Sequence, residues 1–288
     1  MGIPLPTTTE LRAIGRRYLN TQTDRANRQG ALGSQADLSD LITQPFGDVA
    51  DVHRRLSDLE DRLREAGDRR AVFLTVYARM TAAVSEAIQA GAFSDTAWIR
   101  RYTIVFADYY RRALLASERG QTNEIPPPWR IAFGASTGGR TVILQDALLG
   151  INAHINYDLA YAIHEIGIDP DRPTKRADHN AINEILRQLI DEAQNALVDI
   201  YHGDTIGSLD DFLGRSDEKL AHLGLVGSRD LAWHNAESLT DAWLPPIRSF
   251  VQWRVKSVST GAAHIIVRLP KGSDVNRKLQ AVEDRIEP

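Results

Sequence analysis

The sequence predicts an all-α protein: a single, predominantly helical domain built around a buried central helix. Three observations carry that expectation. Apolar residues recur every three or four positions in successive segments, the breaks between segments fall at glycine and proline, and the middle segment is apolar enough to sit inside the others. At 288 residues with 43% hydrophobic side chains, the chain is long enough to bury a sizeable core without staples.

Taken in order, residues 1–45 read as an N-terminal arm or cap with a short helix around residues 10–19, and residues 46–288 as the main helical domain. Val52, Leu56, Leu59 and Leu63, with charges between them, predict a surface helix over Val49–Glu65. Val72, Val76, Met80, Val84 and Ile88 form the stripe of a second helix, which should stop near Gly91. Ser94 is the expected cap of a third, running to about Leu115 with Trp98, Tyr102, Val105, Phe106 and Tyr109 inward. Residues 120–130 hold three consecutive prolines, which favour an extended segment over a helix and mark either a sub-boundary or a connector within one core. A short apolar run at residues 129–133 and a flexible loop, GASTGGR, follow. A long helix then runs from Thr141 to about Ile166, a turn spans residues 167–178, and another helix runs from about His179 to Tyr201. Residues 203–227 read as one short helix with loops; Leu231, Ala232, Ala236, Leu239 and Trp243 mark a helix ended by Pro245 and Pro246. Residues 247–269 fit a last helix or a strand, since β-branched residues are common but their alternation is imperfect.

Composition narrows function mainly by exclusion. There is no cysteine, which removes disulfides, thiolate catalysis and Cys-ligated metals. A formal charge of -4 gives no reason to expect a nucleic-acid partner. The first residues lack a basic and an apolar export region, and no run approaches 18 apolar residues. We therefore expect a soluble, cytoplasmic chain with no membrane partner, whose ligand or substrate is a small molecule.

The stretch LGINAHINYDLA at residues 149–160 sets two asparagines, a histidine and an aspartate into an apolar run. On a helical wheel, Ile151, Ile155, Leu159 and Ala162 form the core stripe, His154 and Asp158 line one edge, and Asn152 and Asn156 line the other. Asp158 is placed to orient the imidazole, or both groups to hold one divalent metal ion with Asp178 as a third ligand. Asn156 and Asn183 are candidates to orient substrate oxygens, and Asn152, Asp108 and Tyr109 to complete a pocket. Equally, the asparagines satisfy a purely internal network, and Asp178 is a cap for the helix that follows it. Arg229 and Trp233, one helical turn apart, offer an anion contact and an apolar wall, or a core ion pair with packing beside it. GASTG fits the G-x-S-x-G pattern, but the helices upstream replace the parallel sheet that such a nucleophile elbow needs.

The string NAHINYDL, with FADYYRRAL upstream, Asp178 and Asn183 downstream and Arg229 and Trp233 near the end, resembles the DUF5995 family, a domain of unknown function, over roughly residues 73–243. The resemblance implies that Asn152, His154, Asn156 and Asp158 occupy a family motif, and that Asp178–Asn183 corresponds to a D-F-x-x-V-N element in which His179 replaces the phenylalanine. It implies no activity. From the residues themselves, the leading expectation is a hydrolase in which His154, Asp158 and Asp178 hold a divalent ion. The alternatives are an isomerase, lyase or cyclase using His154 as acid and base without a metal, and a nonenzymatic binding or scaffold protein.

Overall fold

The computed structural model describes residues 36–139, 141–201 and 217–268, and over these the chain is one all-α domain. The helix expected at residues 10–19 and most of the segment 203–227 lie outside the described residues.

After a single turn, α1 (Ser39–Ile42), α2 spans Val49–Glu65 as its apolar spacing predicts, with Val52, Leu56, Leu59 and Leu63 buried and Asp48 capping through the Asp51 amide. Next, α3 (Ala71–Gln89) is apolar around much of its circumference and packs between α2 and α8 (Arg172–Tyr201). It is long and apolar enough to cross a bilayer by composition, but most of its residues are buried inside the protein, as in a core helix. The third long helix, α4 (Thr96–Glu118), is capped by Asp95 rather than Ser94, and it outruns Leu115. Its inward tyrosine is Tyr110, fully buried, rather than Tyr109, which is only half-buried.

The three prolines do not make an extended segment. Pro126 alone is extended, while Pro127 and Pro128 open α5 (Pro127–Ser136), where the missing amide hydrogens cost nothing. Gly134, Ala135 and Ser136, expected in a flexible loop, are its last turn. Ile125 and Trp129 join the same core as Phe73, Tyr110 and Leu114 from helices on the other side of the proline segment.

The central column is α6 (Ile143–Ala153), one π-helical turn (His154–Asp158) and α7 (Leu159–Ile166). It touches α3, α4, α5, α9 (Asp217–Asp241) and α10 (Pro245–Val267), and is the buried central helix that the sequence predicts. Ile104 and Ile151 pack against both halves of the core. The turn before α8 is shorter than expected because α8 begins at Arg172, with Pro173 in its first turn. Pro245 and Pro246 end α9 and also supply the first turn of α10, so residues 245–267 are helix and not strand.

Candidate functional site

The site is built on the π turn. The Leu159 amide donates to the His154 carbonyl five residues back, so the backbone carries one more residue per turn here than an α-helix does. His154 and Asp158 nevertheless meet as their spacing predicts, with Nδ1 3.0 Å from the Asp158 Oδ2 atom. The same oxygen accepts the Trp129 indole N–H from α5 at 2.7 Å. On the opposite edge, Asn156 donates to the Asn152 Oδ1 atom at 2.9 Å, and Asn152 donates to the Ser259 carbonyl of α10, also at 2.9 Å. The four polar groups thus address two different neighbours.

Buried atoms without a partner among the described residues occur on the His154–Asp158 edge and not on the asparagine edge. The His154 Nε2 and Asp158 Oδ1 atoms are buried and have no hydrogen-bond partner among the described residues. An anionic carboxylate only accepts, so Nδ1 carries the proton of the His154–Asp158 bond and Nε2 is left with a lone pair. Burial holds the imidazole below its ordinary value, opposed by the bond to Asp158 and its charge. Burial likewise pushes the Asp158 carboxyl up, opposed by His154 and Trp129.

Aromatic rings enclose the imidazole. Phe106 lies parallel to it with ring centroids 3.6 Å apart, and Tyr77 stands edge-on at 4.5 Å. Beyond these rings opens a cleft of about 80 Å³ between α3, α4, the central column and α8, lined by His154, Phe106, Met80, Val84, Leu186 and Arg229 among others. Its walls are almost wholly apolar; the imidazole and the guanidinium are the groups with strong polarity.

Other residues singled out in the sequence are placed apart from this cleft. Both oxygens of Asp178 accept backbone amides at the head of α4, from Ser94 at 2.9 Å and Asp95 at 2.7 Å. Asp178 does not cap its own helix, which starts earlier at Arg172. Asp108 pairs with Arg111 and Arg112, and the Tyr109 hydroxyl donates to Glu165 at 2.8 Å. Trp233 is buried between Trp98, His179 and the Arg176 guanidinium. Asn183 accepts the Arg229 Nε–H at 2.7 Å and so positions a residue of the cleft. Among the described residues, no group of three or more histidine, aspartate or glutamate side chains is arranged to hold a metal ion. Ser136 sits at the end of a helix, without the strand-to-helix elbow of a serine nucleophile.

His179 occupies an aromatic slot. Its ring stacks on Tyr102 at 5.9 Å, Nδ1 is 3.1 Å from the Tyr102 hydroxyl, and Nε2 faces the Arg229 carbonyl. A phenylalanine, which the resemblance implies at this position, would fill the same slot without these polar contacts. Burial, then the Arg229 charge beside it, holds the imidazole well below its ordinary 6.5. An unfolded histidine gains a proton near 6.5 while this one stays neutral, so its contribution to stability is complete above that pH and is lost as pH falls toward the folded value. The raised Asp158 and Asp146 carboxyls act in the opposite sense, so the difference between parent and variant is the informative quantity. In urea titrations between pH 6.5 and 5, His179→Phe should show a stability slope smaller by up to about 1.4 kcal/mol per pH unit. Parallel slopes would mean that His179 protonates inside the fold.

Trp129, Phe73 and Tyr77 are the site residues that sequence reasoning missed. Trp129 stood only in a short apolar run, Phe73 lay outside the predicted stripe of α3, and the periodicity of that helix held no sign that Tyr77 would face a histidine. Over residues 49–269 the chain matches the family model described as a family of unknown function, DUF5995. No curated protein and no solved structure matches it.

Proposed function

We propose that this chain, which belongs to the DUF5995 family, is an acid–base enzyme that moves a proton on a small, largely apolar molecule. One observation carries the reading: the buried Nε2 atom of His154 has no partner among the described residues and belongs to a side chain lining an apolar cleft, while Nδ1 is fixed by Asp158. A structural histidine at this depth satisfies both nitrogens, because an unmet buried polar atom costs about 1–3 kcal/mol.

The chemistry follows from the tautomer. Nε2 takes a proton from a carbon or oxygen acid in the cleft: a C–H or O–H bond breaks, an N–H bond forms, and the electron pair passes to an adjacent carbonyl or its equivalent. Return of that proton to the same carbon or to a conjugated one closes the cycle without a co-reactant. Asp158 stabilises the imidazolium formed on the way, and Trp129 holds the carboxylate in place. The parallel Phe106 ring presents its negative face to the same cation. A divalent-metal hydrolase, by contrast, needs three protein ligands on an open ion, and Asp178 is committed to the head of α4. That leaves His154 and Asp158, already bonded to each other.

The test is deuterium wash-in. Short 3-enoic acids and small enolisable ketones, incubated in D₂O with the parent protein, should gain deuterium at the acidic carbon, followed by NMR. His154→Gln should slow this at least about 100-fold, the lower end of what a positioned base contributes. Equal wash-in for parent, variant and buffer would sink the reading.

A further inference from the structure

Four arginines are buried among the described residues: Arg55, Arg70, Arg111 and Arg229. Three of them meet carboxylates, Arg55 with Asp51, Arg70 with Asp68 and Glu118, and Arg111 with Asp108. Arg229, only 3% exposed, pairs with no carboxylate among the described residues. Its Nε donates to Asn183 at 2.7 Å and its Nη2 to the His179 carbonyl at 2.9 Å, both neutral acceptors. The acids next to Arg229 and His179 in sequence are occupied: Asp230 by Arg176 and His234, Asp178 by the amides of Ser94 and Asp95. His179, which also faces the guanidinium, is held neutral.

A buried cation without a counter-ion is costly, since the desolvation of a guanidinium is offset only by a nearby negative charge or dense hydrogen bonding. This one lines the same apolar cleft as His154. The neighbours that hold its Nε and Nη2 fix the plane of the guanidinium, so its charge and remaining donors are pre-oriented for an anion. The cleft, about 80 Å³, is roughly half the ~150 Å³ apolar cavity that holds a benzene ring. That volume suits a short carbon chain. Met80 on the wall gives limited adaptability to chain branching.

We infer that the cleft binds a short-chain monocarboxylate, its carboxylate anchored by Arg229 and its carbon chain laid over Phe106 toward His154. This rests on the cleft being the ligand site of the proposed acid–base reaction and names the substrate class. A carboxylate supplies the negative charge that no described residue brings to the buried guanidinium, and it is also a group beside which a carbon acid is found.

Pentanoate and its uncharged isostere pentanamide decide the point when titrated into the parent protein and followed by calorimetry and by ¹H–¹⁵N NMR. Pentanoate should bind at least tenfold more tightly than pentanamide and shift resonances of Arg229, Phe106 and His154. In Arg229→Gln, which keeps donors for Asn183, that preference should vanish; Arg229→Lys should retain part of it. If Arg229→Gln fails to fold, the ratio in the parent and a weakened ratio in Asn183→Ala serve in its place. Equal binding of acid and amide, binding of neither, or a preference that survives loss of the guanidinium would overturn the inference. Pentanoate binding that persists in His154→Gln, with no deuterium wash-in by the parent, would sink the proton-transfer reading alone and leave the anion site standing.

Discussion

Asp158→Ala should destabilise the protein by about 3 kcal/mol, because it leaves two buried donors, the Trp129 indole N–H and the His154 Nδ1–H, without their shared acceptor. Each orphaned donor costs about 1–3 kcal/mol, and the fully buried site offers no water to replace the carboxylate. Asp158→Asn separates stability from chemistry. If its amide oxygen takes the place of Oδ2, both donors remain satisfied, and the loss in urea denaturation should fall to about 1 kcal/mol. The negative charge, however, is gone. Asp158 is what pulls the His154 imidazole upward against burial, so its neutralisation should lower the ring's pKa further. An imidazolium intermediate then forms less readily, and deuterium wash-in should fall far more than stability does. The base form is needed for wash-in, so activity in the parent should decline as pH falls through the depressed folded value of His154, and the midpoint should move to lower pH in Asp158→Asn. Two variants with equal activity losses and equal stability losses would assign Asp158 to the core and not to the chemistry.

What could be read in the sequence was what is local. The stripes of α2 and α3 follow from a period of 3.6 residues, and so does the meeting of His154 with Asp158 and of Asn152 with Asn156. The π turn has no sequence signature of that kind: an i to i+5 bond is set by what surrounds the helix, and a regular wheel is the default. The prolines at 126–128 misled because proline is both the worst interior helix residue and a favoured first-turn residue; only the register of the start separates the two. Asp178 shows the same ambiguity. Its residue type suggested a cap of its own helix, but Pro173 already opens α8, and the carboxylate instead accepts the Ser94 and Asp95 amides that lead into α4. The contact between Trp129 and Asp158 and the pairing of Arg229 with Asn183 are non-local facts, and neither is written in any window of the chain.

The close approach of α3 to α6 depends on a glycine, and the same contact shapes the cleft. A Cβ built on Gly150 would lie 2.5 Å from the Phe73 Cγ and Cδ2 atoms and 2.6 Å from its Cβ. These atoms sit next to the Phe73 backbone, so no side-chain rotation clears the overlap and the helices themselves must separate. Phe73 in turn stands edge-on to His154 and against Trp129, and lines the cleft. Gly150→Ala should therefore cost about 1–3 kcal/mol from overpacking, even though alanine is the better helix former by about 1 kcal/mol. Gly261→Ala is the matched control: it lies inside α10, and nothing stands within 4 Å of its added Cβ. There the propensity term acts alone, and stability should rise by up to about 1 kcal/mol. Opposite signs for one substitution at two helical glycines, read from urea midpoints at constant m-value, would place the difference in the Phe73 contact. In Gly150→Ala, displacement of Phe73 should also shift the ¹⁵N resonances of His154 and weaken pentanoate binding, because the wall that moves is shared by the base and its ligand. A gain in stability at both positions would mean that α3 and α6 are not held at this distance, and the cleft between them would lose its defined shape.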